Sequence, residues 1–255
     1  MKCNINRENK EKLSGDPRLR EIYENLDRLK IGPDEPFKFH CTMCGKCCIH
    51  REDILLTPKD LFGIAKELGT TPDKVIRDYC DTYVGGTSRF PIVRLNPVGA
   101  DRHCPLLKDN KCSVHKVKPV VCAMFPIGRA ISAEGDALQN DGITPDKIQY
   151  IFVDPGCGDD AETHTVREWF GEFGISMEDE FFIRWQRALN ALSMALIRLE
   201  KKLNADMMRP VWNVVYAAMY LNYDMNNDFM EQFSNNAEKI IELIKKIEAE
   251  GLEAS

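Results

Sequence analysis

The sequence has no run approaching the ~18 apolar residues that span a bilayer. Its opening stretch, MKCNINRENKEKLSGD, also lacks the apolar segment of a secretory signal. Both absences lead to the expectation of a cytoplasmic protein with no membrane partner. A basic excess is missing as well. The 34 Lys and Arg stand against 40 Asp and Glu, a net charge of -6, so no nucleic acid is expected as a partner. The loops that announce nucleotide or acyl chemistry are absent: no G-x-G-x-x-G, no G-x-x-x-x-G-K-S/T and no G-x-S-x-G. VGGTS at 84–88 reads as a turn. There is no low-complexity segment and no internal repeat at a period of roughly 20–50 residues. With 44% hydrophobic residues over 255 positions the chain can bury a core, so it is expected to be globular.

What the chain does have is ten cysteines. In a reducing compartment such density points to metal or redox chemistry rather than a disulfide framework, with hyperthermophiles the exception to that rule. Four cysteines crowd into FKFHCTMCGKCCIH at 37–50: Cys41, Cys44, Cys47 and Cys48. The first three are each separated by two residues, the run bacterial ferredoxins use to hold three irons of a cluster. Zinc more often draws paired cysteines from two separate knuckles. Gly45 lets the backbone turn tightly among the sulfurs. Successive side chains diverge along most backbone conformations, so the adjacent Cys47 and Cys48 are expected to serve two different sites.

A second group, HCPLLKDNKCSVHKVKPVVCAMFP, holds Cys104, Cys112 and Cys122, and DPGCGDD adds Cys157. Together with the first four they make eight, enough for two four-cysteine sites, whereas one site would leave several thiols idle. Pro105, Pro119 and Pro126 stiffen the loops between them. Cys3 and Cys80 lie outside both groups and read as ordinary thiols.

The two motifs together, FHCTMCGKCC and CPLLKDNKCSVHKVKPVVCAMFP, resemble the YkgJ-type cysteine-cluster proteins, which carry CxxCxxCC and a later C, C, KP or RP, C, FP pattern. The resemblance covers roughly residues 37 to 160 and implies zinc or iron chelation. It places the family's cysteines on Cys41, Cys44, Cys47, Cys48, Cys104, Cys112 and Cys122, with Cys157 as a further ligand. Two positions depart from the pattern. Ala123 stands where the family often has arginine, and Lys118 replaces the usual arginine before proline. Flagellin lysine methylases share a similar cysteine signature, which implies S-adenosylmethionine-dependent methylation of protein lysine as one alternative. The radical S-adenosylmethionine spacing itself is absent, because the first gap here is two residues and not three.

His40, His50, His103 and His115 flank the cysteine motifs, as metal ligands or as hydrogen-bonding groups around them. His164 lies beyond and reads as surface. Asp159 and Asp160, and likewise Glu178, Asp179 and Glu180, read as acids just before helices, where they favour the helix dipole.

The expected fold is α+β and mostly helical: a small irregular cysteine-rich core with short strands, then a C-terminal helical bundle. Residues 16–30 read as an amphipathic helix. TPKDLFGIAKELG and TPDKVIRDYC read as two more, each opened by a Thr cap and a Pro. RFPIVRLN and KIQYIFVD read as strands. Phe182, Trp185, Leu189, Leu192, Leu196, Leu199 and Leu203 form an apolar stripe at alternating spacings of three and four. Ala237, Ile240, Ile244 and Ile247 form another, and RPVWNVVYAAMYLNY lies between them. The expected units are 1–35, an N-terminal helical segment; 36–160, the metal-binding domain; and 161–255, the bundle. The expected function is metal binding, with one or two iron–sulfur (4Fe-4S) clusters on the eight cysteines in a redox or cluster-supported role. A zinc-stapled structural module is the alternative. A protein redox partner or protein substrate is the expected partner. Enzymatic activity and oligomeric state stay open.

Overall fold

The computed structural model describes residues 25–49, 54–131 and 142–253. In chain order it begins with a short helix α1 (Leu26–Leu29), β1 (Lys30–Ile31) and β2 (Pro36–His40). After the first cysteine loop come β3 (Leu55–Leu56), α2 (Pro58–Glu67), α3 (Pro72–Tyr79), β4 (Cys80–Val84) and β5 (Pro91–Leu95). The second cysteine region holds β6 (Leu107–Lys108), β7 (Lys111–Cys112), α4 (Val120–Met124) and β8 (Ile127–Ile131). Then follow β9 (Ile148–Phe152), β10 (Asp159–Thr165) and α5 (Val166–Gly171). The chain finishes with α6 (Glu180–Glu200), α7 (Ala205–Tyr216) and α8 (Phe229–Glu253). The fold is α+β with a helical C-terminal region, as expected.

The Thr-Pro openers act as the sequence predicts. Thr57 caps α2 and, with Asp60, closes a full capping box, while Thr71 accepts from the Lys74 amide at the start of α3. Gly69 ends α2 with a φ of +61°, a conformation that strains any residue with a Cβ. The predicted helix at 16–30 falls mostly outside the described residues; where it is described, it ends at Leu29 and passes into β1. All four sheets are small and their pairings antiparallel: β1–β9–β8, β10–β2, β3–β5–β4 and β6–β7.

Two apolar cores organise these elements. In the larger, Leu56, Leu61, Ile64 and Val93 pack with Trp185, Leu192 and Leu196 of α6, Met208 of α7 and Phe233, Ile240 and Ile244 of α8. The predicted stripe on α6 is therefore buried, and residues before 115 share in covering it. Each large side chain buried there contributes about 1.5–3 kcal/mol. In the smaller core, Phe37 and Phe39 of β2 pack with Tyr150 of β9 and with Val166, Trp169 and Phe170 of α5. Helices after residue 160 complete both cores: α5 packs on β2, and α6–α8 pack on α2 and β5. The physical reason is that none of these short sheets has enough apolar face to close a core alone.

Candidate metal centre

Three stretches of chain bring the thiols together. The first leaves β2 at His40 and turns at Gly45, whose φ is +73°. Lys46–Cys48 then form one 3₁₀ turn. Ile49 bridges to His103, and the Cys104 amide donates to the Cys48 carbonyl at 2.8 Å, which fastens Cys104 beside Cys48. On the second stretch, Cys112 lies opposite Leu107 in the β6–β7 hairpin, whose two-residue turn sets Asp109 and Asn110 at φ of 49° and 57°. Cys122 sits in the single turn of α4. That turn is held from outside, because the Val120 amide donates to the buried Asp60 carboxylate of α2 at 2.8 Å. On the third stretch, β10 pairs with β2 so that Asp159 faces His40, which sets Cys157 beside the Cys41–Cys44 loop.

Cys41, Cys47, Cys48, Cys104, Cys112 and Cys122 line one cavity of about 240 Å³. Cys44 and Cys157 are hydrogen-bonded to each other. The thiols influence one another in two overlapping neighbourhoods. Burial, then Cys44, Cys47 and Cys41, push Cys157 up to about 11. Cys48 is raised far beyond the ordinary thiol range, first by its hydrogen bond with Cys47, then by burial and by Cys47, Cys104 and Cys122. Cys104 is raised by burial, with Cys112 and Cys47 adding to it. Cys44 moves the other way, lowered chiefly by the Lys46 backbone amide and helped by that of Gly158. Crowded thiols resist ionising together, and a bound cation reverses that resistance. Eight soft sulfur donors suit zinc or iron in kind. As placed, the side chains line walls more than they close on a point: among the described residues, no three His, Cys, Asp or Glu are gathered tightly enough to hold an ion. None of the nine described cysteines forms a disulfide.

The adjacent side chains do not diverge as expected. The Cys47 and Cys48 sulfurs lie 3.9 Å apart, because the 3₁₀ turn after Gly45 curls the backbone enough to turn both inward. That spacing is close to the edge of a tetrahedral four-sulfur site, about 3.8 Å for metal–sulfur bonds near 2.3 Å. Cys80 begins β4, half-buried, and burial with Asp81 and Cys104 pushes it up to about 12, the behaviour of an ordinary buried thiol. Cys3 and His50 lie outside the described residues.

The histidines have partners other than sulfur. His40 Nδ1 lies 3.0 Å from Asp159 and His103 Nδ1 lies 2.7 Å from Asp101, arrangements that fix ring orientation at the edge of the cysteine loops. His115 lines the cysteine cavity edge-on to Phe173, and burial holds its pKa down. His164 is not on the surface: its side chain is 14% exposed and packs on Phe37 and Trp169. Asp159 and Asp160 begin a strand instead of preceding a helix, because β2 offers a pairing edge that local propensity does not reveal. Asp179 does cap α6, accepting from the Phe182 amide at 3.1 Å. Sequence reasoning missed Asp60, whose only signal was its place three residues after the Thr57 cap.

Gly158 holds the third stretch in place. Its φ is +73°, and a Cβ there would come within 2.5 Å of the His40 carbonyl and 2.8 Å of the Phe39 ring. A Gly158→Ala variant is expected to be destabilised by about 1–3 kcal/mol and to move Cys157 away from Cys44. Urea denaturation reads the first effect, and metal content reads the second.

Residues 40–145 match the family model described as "CxxCxxCC: Putative zinc- or iron-chelating domain". That segment carries every described cysteine discussed above except Cys157. A stretch of 112 residues is 31% identical to the uncharacterized protein MJ0661 of Methanocaldococcus jannaschii, covering 40% of this chain and 57% of that protein. No solved structure matches the chain. Among the described residues no helix is long and apolar enough to cross a membrane.

Proposed function

We propose that this protein chelates metal as iron–sulfur clusters held on Cys41, Cys44, Cys47, Cys48, Cys104, Cys112, Cys122 and Cys157, and that it exchanges electrons with a protein partner. The observation that supports this reading is that six of these thiols, from two distant stretches, line one cavity, and that Cys157 of a third stretch lies against Cys44 of the same loop. The match to a zinc- or iron-chelating domain supports the coarser part of it. When bound, a cluster supplies one-electron chemistry whose potential depends on hydrogen bonds to sulfur and on exposure. The chain's own contribution is specific. The Lys46 and Gly158 amides point at the Cys44 sulfur and favour its thiolate. The His40–Asp159 pair stands beside Cys41 and fixes the ring orientation at the edge of the ligand loop. Met43, 65% exposed at the tip of that loop, offers an apolar contact to a docking partner.

A zinc-stapled module is the second reading, favoured by the Cys47–Cys48 separation of 3.9 Å. Two thiolates that close suit one ion, whereas a cluster with one cysteine per iron holds its cysteine sulfurs farther apart. Purification without oxygen, elemental analysis and an absorption spectrum decide between them. Iron with matching sulfide, and a broad visible band that bleaches with dithionite, is the expected result. Colourless protein with zinc and no iron overturns the electron-transfer reading and leaves the structural one.

A further inference from the structure

A second cavity, of about 680 Å³, lies between α2, the Lys116–Val120 stretch, the turn before α6 and the start of α8. It shares Lys118 with the cysteine cavity. Its volume is that of small-molecule sites, roughly 300–1,000 Å³. Aromatic faces dominate one side, with Phe173, Phe182 and Trp185 among the lining.

The charges of this cavity are arranged unequally. Its carboxylates are already engaged: Asp179 takes Arg129 Nη1 at 2.9 Å, Glu180 takes Arg184, Asp60 takes Thr57 and Val120, and Asp228 accepts the Glu231 amide. The lysines are not. Lys118 Nζ lies 4.0 Å over the Phe173 ring and Lys59 Nζ lies 5.5 Å over Phe181, and neither forms an ion pair among the described residues. Arg129 also lines the cavity, with its side chain 3% exposed and its guanidinium carbon 3.6 Å over the Phe182 ring. Its Nη1 is taken by Asp179 and its Nε is covered by protein, so an acid entering the cavity meets Lys118 and Lys59.

We propose that this cavity binds a small aromatic acid, a flat apolar body carrying a carboxylate or sulfonate. The acid oxygens take the ammonium groups of Lys118 and Lys59, and the body lies against Phe173, Phe182 and Trp185. The site is separate from the metal reading and does not depend on it.

The probe is 1-anilinonaphthalene-8-sulfonate, titrated by fluorescence into the full chain as purified, with N-phenyl-1-naphthylamine as its uncharged counterpart. One sulfonate dye per chain is expected, bound at least about tenfold tighter than the uncharged dye, the equivalent of one charge-assisted hydrogen bond. Lys118→Gln and Lys59→Gln are each expected to weaken that preference, and together to remove most of it, while leaving the uncharged dye unaffected. Ser176→Trp is the independent check. Ser176 is exposed on the cavity lining, and a tryptophan there is expected to abolish binding of both dyes with metal content unchanged. Equal affinity for the two dyes, or sulfonate binding that survives both Lys118→Gln and Ser176→Trp, overturns the proposal.

Discussion

Cys48→Ser protein is expected to retain about half of the metal bound by the unaltered chain. Cys48 is influenced first by Cys47 and then by Cys104 and Cys122, and Cys104 by Cys112 and Cys47, whereas Cys157 is influenced by Cys44, Cys47 and Cys41. Cys47 touches both neighbourhoods, and in the proposed two-centre arrangement it belongs with Cys41, Cys44 and Cys157, leaving Cys48, Cys104, Cys112 and Cys122 as the other set. A serine oxygen is a poor substitute for thiolate on a soft metal, so one set loses its ion or cluster and the other keeps it. Adding Cys112→Ser to Cys48→Ser is expected to remove little more, because both belong to one set. Adding Cys157→Ser is expected to empty the protein. Metal-to-protein ratios of the single and double variants give the answer directly. If Cys48→Ser alone strips all the metal, Cys47 and Cys48 share a single centre, in keeping with their 3.9 Å separation, and the two-centre arrangement is wrong.

Asp60→Ala is expected to cost about 2–4 kcal/mol. The carboxylate receives the Thr57 amide at 2.8 Å, the Thr57 hydroxyl at 2.7 Å and the Val120 amide at 2.8 Å. Alanine removes the helix cap, typically worth about 1 kcal/mol. It also leaves the Val120 N–H without its acceptor in a half-buried setting, a further 1–3 kcal/mol or so. Cys122 loses the anchor of its turn at the same time, so metal content is expected to fall as well. Asp60→Asn keeps one acceptor oxygen and is expected to cost less. Its pH dependence is informative. Burial raises the Asp60 pKa above its ordinary value of 3.8, so the folded state holds the proton more tightly than the unfolded chain. Stability from this group is therefore full below pH 3.8 and declines as pH rises through the raised value. Asn does not titrate, so the gap between wild type and Asp60→Asn is expected to narrow with rising pH over that window. Denaturant midpoints at several pH values measure it; a constant gap would mean that the carboxylate is not strained by its burial.

The parts of this fold written in local chemistry were legible in the sequence. Thr57, Pro58 and Gly69 announce α2 from start to stop, and the alternating apolar spacing from Trp185 to Leu199 announces α6. The density and order of the cysteines announce the match to a zinc- or iron-chelating domain model. Contacts between distant stretches were not legible. The polar segment DDAETHT has no strand signature of its own and becomes β10 only because β2 presents an edge to it. The inward turn of both Cys47 and Cys48 depends on three consecutive backbone angles, which residue type does not dictate. Arg129 gave no sign of its burial, since its neighbours in sequence are Gly128 and Ala130 and its carboxylate partner is 50 positions away.

The β2–β10 ladder pairs residues 119 positions apart, and this separation bears on how the chain acquires its metal. Cys157 reaches the Cys41–Cys44 loop only after that ladder has formed, so the site cannot be completed while the chain is extended. In the proposed metal-bound form, an ion or cluster ligated by both the Cys41–Cys44 loop and Cys157 acts as a staple across more than 100 residues. A cross-link of roughly that span removes about 4–5 kcal/mol of freedom from the unfolded ensemble. Removal of that metal is expected to return this freedom to the unfolded ensemble and so to destabilise the whole span between the two ends of the staple.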